Sequence, residues 1–399
     1  MQTNQELVYN KYSFHYKAGN NMLSEEQKSI QALARDFAKK EIEPFVNEYQ
    51  EKKEFPIPIW QKLKEVEFTG MPFPTKYGGG GTDFLSYILV LEELSKIDAG
   101  LAVALAVHTS AVSSPVYQFG TEEQRQKYLT SLIKGDKIGS FALTEPNYGS
   151  DAGSLQASAV LDKDYYVLNG TKQWISNAQV AGLFIVFART NKEIKGPKGI
   201  TAFIVEKETE GITITSPYKK MGLWSSCTND LVLENCRVPA SNILGNLNEG
   251  FKIAMWALEG GRIGVAAQAL GIAQAALSAS VTYAKQREQF GKPIAAFEAI
   301  QWKIADMATE IAAARLLTYR AAWLKDNNLP CTKESAMAKV FASRVARSYT
   351  SEAIQIHGGY GYMSEFPLER YYRDAKVTEI YEGTSEIQKI VISRALLNE

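Results

Sequence analysis

The hydrophobic pattern of this 399-residue chain changes its period twice, and this limits the fold more than any other feature. Between Leu23 and about Lys137, apolar residues recur at helical spacing. From Gly139 to about Asn248 the pattern changes to short β-branched and aromatic runs that are separated by turn residues. From Gly250 onward the helical spacing returns. We therefore predict an α+β fold that is predominantly α, with a β-domain between two helical domains.

These changes of pattern divide the chain into four segments. Residues 1–22 form an aromatic-rich N-terminal extension, 23–138 a helical domain, 139–249 the middle β-domain and 250–399 a helical bundle domain. Ser24 and Gln27 have the spacing of a capping box, so the first helix should begin there.

Composition excludes several classes of function. The chain has 44 basic and 44 acidic residues, so no net charge favours binding to nucleic acid or to an anionic membrane. It has only three histidines, and its three cysteines lack paired metal-ligand spacing, so we expect no metal site. The longest apolar run, Ala99 to Val112, is interrupted by His108 and is too short to span a bilayer. The first residues lack a basic-then-apolar signal, and we expect a cytoplasmic protein.

A single carboxylate, Glu382, lies on a glycine turn near the C-terminus. Ser385 and Gln388 form a capping-box pattern, which predicts that a helix begins at this point and leaves Glu382 on the preceding loop. Gly383 lets a flat substrate or cofactor approach the backbone closely. This arrangement suits a catalytic base, although an ordinary capped surface helix would have the same pattern.

Several separated motifs accompany this loop, and together with it they resemble the acyl-CoA dehydrogenase family over roughly Leu23 to Leu397. The resemblance is closest to short-chain and branched-chain members, including butyryl-CoA dehydrogenases. It implies a middle domain that is β-barrel-like and a homotetramer built as a dimer of dimers. The motifs are Phe141–Pro146 with Gly149–Asp151, Trp174–Asn177, Gln286–Gly291, Leu258–Ile263, Gln355–Gly359, Arg373–Lys376 and Tyr381–Thr384.

The resemblance also implies a reaction, the desaturation of an acyl-CoA thioester to the trans-2-enoyl-CoA with FAD as cofactor. No amino-acid side chain accepts a hydride, so the flavin must take it from the β-carbon at N5. Glu382 would remove the α-proton, and exclusion of water should raise its pKa from the ordinary value of about 4.3. Its backbone N–H would polarise the thioester carbonyl, and electron-transfer flavoprotein would accept the electrons.

The resemblance assigns cofactor contacts to three groups of residues. Residues along the flavin are Phe141, Leu143, Thr144, Gly149, Ser150, Trp174, Ile175 and Ser176, of which Ser176 could hydrogen-bond flavin N5. Residues that reach the FAD of a neighbouring subunit are Arg287, Gln289, Phe290, Glu298, Gln355, Ile356, His357, Gly358 and Gly359. Thr384, Ser385 and Glu386 complete the set. Taken alone, Trp174 in a strand would usually be a core residue, and we assign His357 to packing or cofactor contact.

Substrate contacts are assigned to Ser150, Glu259, Gly260, Gly261, Arg262 and Gly383. Some relatives carry their catalytic glutamate at the position of Gly261, so the base here has to be Glu382. Arg262 could also be a solvated helix charge. The chain departs from the family pattern at Glu259, where aspartate is more common, at Trp224, where arginine is usual, and at Glu298, where glutamine is common. Bulky Asn147-Tyr148 also replaces smaller residues.

Two other functions fit the same pattern. An acyl-CoA oxidase would use the same fold and pass electrons to oxygen. A non-catalytic scaffold could also have kept the fold, although the presence of Glu382 with all of the flavin motifs disfavours it.

Overall fold

The computed structural model describes residues 22–194 and 196–397. Apart from Met22, the predicted N-terminal extension lies outside the described residues. Helical, β and helical blocks follow one another along the chain, so the predicted fold class is confirmed.

The first block is helical. The predicted capping box is present, because the Ser24 hydroxyl accepts from the Gln27 N–H and the Gln27 amide oxygen accepts from the Ser24 N–H. Its α-helices are Glu25–Phe37, Val46–Lys52, Ile57–Glu65, Phe84–Ser95, Ala99–Ala106, Ser114–Phe119, Glu122–Gln124 and Thr130–Ile133. Three π-helical segments and one 3-10 turn connect them, at Ala38–Ile42, Val107–Ser113, Arg125–Leu129 and Thr75–Tyr77.

The middle block contains eight strands. They are β1 Ile138–Ala142, β2 Ser158–Asp162, β3 Tyr165–Ser176, β4 Ala181–Arg189, β5 Ile200–Glu206, β6 Ile212–Ile214, β7 Thr228–Pro239 and β8 Ile243–Leu244. The hydrogen-bonded order is β6-β7-β3-β2-β4-β5-β8, and β1 pairs in parallel with β4. Lys172 lies opposite Leu231 while Ile175 lies opposite Asn229, so β3 carries one extra residue here. This bulge matters because it includes Trp174.

The last block is a helical bundle. Its α-helices are Gly250–Gln286, Glu298–Asp326, Thr332–His357, Leu368–Val377 and Ser385–Leu397, with a short hairpin of β9 Glu288–Gln289 and β10 Lys292–Pro293. The first helix packs closely on the first block at Gly271, where a Cβ atom would lie 2.6 Å from the Ser95 Cβ. One hydrophobic core therefore joins the two helical blocks.

Two helical stretches among the described residues are long and apolar enough to cross a membrane by composition alone. They are Ala99–Phe119 and Gly250–Gln286, and most of each is buried inside the protein. Core helices commonly meet the same test, and burial in the shared core accounts for the apolar character of both.

Candidate active site

Glu382 lies on a turn with unusual backbone geometry between the last two helices. Both Glu382 and Gly383 have positive φ, at 55° and 89°. A non-glycine residue in this region costs about 1–3 kcal/mol and persists only where the surroundings hold it. Here the Gln388 amide donates to the Glu382 and Gly383 carbonyls, at 3.0 and 2.8 Å, and the Lys339 ammonium donates to the Gly383 carbonyl at 2.8 Å.

The helix after this turn begins one residue away from the predicted cap. Thr384, rather than Ser385, caps it, since the Thr384 hydroxyl accepts from the Ile387 N–H and the helix runs from Ser385 to Leu397. Gln388 is directed to the carbonyls of the turn instead of completing a capping box. The predicted capping box of Ser385 and Gln388 is therefore wrong. The carbonyls of the left-handed turn need hydrogen-bond donors, and the Gln388 amide supplies them. Glu382 does lie on the loop.

The Glu382 carboxylate faces Gly261, which lies on the Gly250–Gln286 helix. A Cβ atom at Gly261 would lie 2.5 Å from Glu382 Oε2, so the glycine leaves the space that this carboxylate fills. Oε2 is buried and has no hydrogen-bond partner within the described residues. Burial raises the pKa of Glu382 to about 7, while the positive charges of Arg262 and Lys339 act in the opposite direction.

Of the predicted substrate residues on the Gly250–Gln286 helix, Gly261 and Arg262 lie near this carboxylate, while Glu259 and Gly260 have other neighbours. Arg262 is only 5% exposed, so it is not a solvated helix charge, and its Nε has no partner within the described residues. Burial lowers the pKa of Arg262, opposed by Glu382 and Glu259. Glu259 accepts a hydrogen bond from the Thr332 hydroxyl. Gly260 faces Lys325, whose Cε would lie 3.3 Å from a Cβ there.

The first group of predicted cofactor residues lies at the end of β1 and on the bulge of β3. Trp174 has φ 58° and is 56% exposed, so its interpretation as a core residue is wrong. The Gln173 N–H donates to the Thr144 carbonyl at 2.8 Å, which holds the loop after β1 against the bulge. Phe141 and Ser176 are half-buried, Leu143 and Ile175 are buried, and Gly149 and Ser150 are exposed.

A buried ion pair that the sequence did not reveal fixes this loop. The Lys172 ammonium donates to Glu145 Oε1 at 2.8 Å and to the Leu143 carbonyl at 3.1 Å. The Glu145 carboxylate also accepts from the backbone N–H groups of Gln156 and Ala157. Lysine is ordinarily exposed, so its position in a strand gave no signal of this role.

Six of the nine residues of the second group line one hollow of about 490 Å³. The hollow lies between the segment around the end of the Gly250–Gln286 helix and the segment around the end of the Thr332–His357 helix. The lining residues are Tyr283, Arg287, Gln289, Ile294, Ile356, His357, Gly358, Gly359, Tyr360 and Met363. Phe290, Gln355 and Glu298 are outside this lining and are exposed, Phe290 to 93%.

His357 is part of the packing of this hollow. Its ring stacks on Tyr283 with centroids 4.2 Å apart, and its Nδ1 lies 2.8 Å from the Ala353 carbonyl. Burial lowers the pKa of His357, which favours the neutral ring at pH 7. Arg287 lies over the Tyr360 ring, and it has no carboxylate partner within the described residues. An unpaired, exposed guanidinium suits a phosphate group.

Three family models match the chain in succession. They are the N-terminal, middle and C-terminal domains of acyl-CoA dehydrogenase, at residues 24–136, 140–236 and 248–397. The chain is also 49% identical to the butyryl-CoA dehydrogenase of Megasphaera elsdenii. The two structures superpose with a TM-score of 0.92, over 94% of this chain and 99% of that chain.

This chain belongs to the acyl-CoA dehydrogenase family. Family membership confirms the predicted cofactor and type of reaction: acyl-CoA dehydrogenases are FAD flavoproteins and are oxidoreductases that act on CH–CH bonds. The residues present fit such a group. The bulge of β3 holds the indole of Trp174 exposed beside the loop that follows β1. Arg287 supplies a guanidinium without a carboxylate partner within the described residues.

Two further similarities bear on electron transfer. A chain in a solved structure on the electron-transferring flavoprotein of Acidaminococcus fermentans is 50% identical, with a TM-score of 0.94 over 96% of this acyl-CoA dehydrogenase and 100% of that chain. The acryloyl-CoA reductase (NADH) of Anaerotignum propionicum is 51% identical over 94% of this chain and 95% of that protein.

Proposed function

We propose that this chain dehydrogenates an acyl-CoA thioester at its α and β carbons, with Glu382 as the base that removes the α-proton. The observation that carries the proposal is the Glu382 carboxylate beside Gly261, because its Oε2 is buried and without a partner. When bound, FAD supplies the acceptor for the β-hydride. The product is the trans-2-enoyl-CoA.

The environment of Glu382 suits a base that works near neutral pH. A general base is most effective when its pKa is close to the working pH, and burial brings this carboxyl to about 7. The positive charges of Arg262 and Lys339 keep the pKa of Glu382 from rising further. With no hydrogen bond to Oε2 within the described residues, that oxygen is available to accept a proton from the substrate.

The backbone of the same turn supports polarisation of the thioester. The Glu382 N–H donates no hydrogen bond within residues 22–194 and 196–397. Gln388 and Lys339 hold the neighbouring carbonyls, so this N–H is held in place for an oxygen that gains negative charge. One residue would thus supply both the base and a donor to the thioester carbonyl.

We place the FAD between two surfaces. One subunit supplies the loop after β1 together with Trp174, and a second subunit supplies the hollow with Arg287. None of the first group lines the hollow. We infer that subunits complete each other's cofactor sites, in a homotetramer as the family resemblance implies. Likeness to a chain studied with an electron-transferring flavoprotein supports such a flavoprotein as electron acceptor. A cytoplasmic location stays a prediction.

Reduction of the flavin should depend on pH with a midpoint near the pKa of Glu382. The base works only when ionised, so the rate should rise with pH through about 7 and level off above it. Rapid mixing of the oxidised protein with acyl-CoA in the absence of oxygen, over a range of pH, measures this. A rate that is already maximal at about pH 5 would show that another group, or an unperturbed carboxyl, is the base.

Arg287→Glu should weaken FAD binding by about 10- to 100-fold, because it replaces a charged donor to phosphate with a repelling charge. The ratio of FAD to protein after gel filtration measures retention, and sedimentation gives the mass of the assembly. Lys292→Glu is the matched control, since it reverses a charge on the hairpin that directly follows Arg287 and lies outside the lining of the hollow. Equal FAD affinity in parent and Arg287→Glu would contradict the shared site.

A second direction of reaction has support from the similarity to an acryloyl-CoA reductase. In that direction Glu382 would return a proton to the α-carbon instead of removing one. Loss of the enoyl-CoA absorbance with NADH as electron source would favour it. Oxygen consumption during turnover, without any added acceptor, would favour an oxidase.

A further inference from the structure

We propose that Lys339 is a positioning residue for Glu382: its ammonium holds the turn that carries the base and favours the ionised form of the base. This inference rests on the proposed role of Glu382. Lys339 belongs to the Thr332–His357 helix, and its side chain reaches the carbonyl of Gly383 in the turn.

The position of Lys339 is unusual for a lysine. Its side chain is fully buried, at 0% exposed, and it forms no ion pair within the described residues. Its Nζ donates instead to the Gly383 carbonyl, 2.8 Å away, which also accepts from the Gln388 amide. A buried ammonium is unfavourable unless its charge and its donors have partners. Here the partners are one carbonyl and the nearby negative charges.

The hydrogen bond from Lys339 to the Gly383 carbonyl stabilises the backbone of the turn. Gly383 follows Glu382, and both residues have the positive φ values that require support. Two donors from two different helices converge on the Gly383 carbonyl, so this peptide has little freedom to rotate. This peptide joins Gly383 to Thr384, directly after Glu382, so the two donors fix the chain on the C-terminal side of the base.

The charge acts on the carboxylate itself. Two cations face Glu382, Arg262 from the Gly250–Gln286 helix and Lys339 from the Thr332–His357 helix, while Tyr87 faces it from the Phe84–Ser95 helix. Around Lys339 lie the carboxylates of Glu379 and Glu386 as well as the guanidinium of Arg262. Burial lowers the pKa of Lys339 to about 8, against the pull of Glu382, so the ammonium is still charged at pH 7.

Two substitutions separate these effects. Lys339→Met keeps an unbranched side chain but removes both the donor and the charge. Lys339→Gln removes the charge and keeps a donor of shorter reach. Ser343→Ala is the matched control, because Ser343 lies one turn further along the same helix and donates to the Thr378 carbonyl at 2.8 Å without any charge. FAD content and circular dichroism establish that each variant is folded.

The first measurement is flavin reduction by acyl-CoA across pH. In Lys339→Met the midpoint of the rise should move up by about one pH unit, because the carboxylate loses a neighbouring cation. Lys339→Gln should move the midpoint similarly and keep a higher plateau at alkaline pH. The affinity for acyl-CoA should change less than the rate constant of reduction, and Ser343→Ala should keep the parent's profile.

The second measurement does not depend on turnover. Infrared spectra of the holoenzyme across pH follow the carbonyl band of the protonated Glu382 carboxyl, which is assigned by its loss in Glu382→Gln. In Lys339→Met this band should persist to higher pH than in the parent. An unchanged titration of this band in Lys339→Met, or in Lys339→Gln if the methionine variant does not fold, overturns the proposal. Activity of Glu382→Gln at the parent's rate would instead overturn the role of Glu382.

Discussion

Glu382→Gln should retain FAD and bind acyl-CoA but lose flavin reduction by several orders of magnitude. The amide nearly preserves the shape of the carboxylate and cannot accept a proton, and loss of a general base costs about 10²- to 10⁴-fold or more. Oε2 has no hydrogen-bond partner within the described residues, so its replacement breaks no hydrogen bond of the turn. Rapid-mixing measurement of flavin bleaching gives the rate constant directly.

Glu259→Gln is the control for this result. Its carboxylate lies on the same helix as Gly261 and accepts from the Thr332 hydroxyl, so it is a polar group near the site with a partner of its own. We expect it to change substrate affinity and to leave reduction within roughly tenfold, about 1.4 kcal/mol of barrier. If Glu382→Gln reduces at the parent's rate while Glu259→Gln is inactive, the base is assigned to the wrong residue.

Gly261→Ala should slow flavin reduction by about 100-fold with little loss of stability. The new Cβ would lie 2.5 Å from Glu382 Oε2, so the carboxylate must move, and a displacement of about 1 Å can cost about 10²-fold in rate. The clash is with the end of a flexible side chain, so the melting temperature should change little. The same rapid-mixing measurement, together with thermal unfolding, tests both parts.

Gly264→Ala is the matched control, because a Cβ at that position makes only ordinary contacts, 3.4 Å from Leu91 Cδ1 and 3.5 Å from Ala106 Cβ. It lies on the same buried helix but does not face Glu382. A Gly261→Ala variant that reduces its flavin as fast as Gly264→Ala would show that the position of the Glu382 carboxylate is not critical.

The order of the blocks was predictable from sequence because hydrophobic periodicity is a local property. The change from a period near 3.6 to a period near 2 and back again marks the helical and β blocks without knowledge of their contacts. The capping box at Ser24 was predictable for the same reason, since its partners are three residues apart. The turn at Glu382 was visible in its local pattern, and the resemblance to a family favoured the catalytic base over an ordinary capped surface helix.

Features that depend on distant partners were not predictable. The cap at Ser385 was misplaced because Lys339 and Gln388 stabilise a left-handed turn, and no local pattern reports a lysine on another helix. Lys172 gave no signal because its partner Glu145 lies on a separate loop. The hollow near Arg287 forms only when the Gln286–Gly291 and Gln355–Gly359 motifs come together in the fold.

Anaerobic mixing of the purified protein with a series of acyl-CoA thioesters, while the flavin spectrum is recorded, tests the central claim most directly. Proton removal by Glu382 coupled to loss of the β-hydride predicts that at least one saturated acyl-CoA bleaches the flavin and yields the 2-enoyl-CoA in equal amount. A protein that holds FAD and binds these thioesters, yet keeps an oxidised flavin with every member of the series, would contradict it.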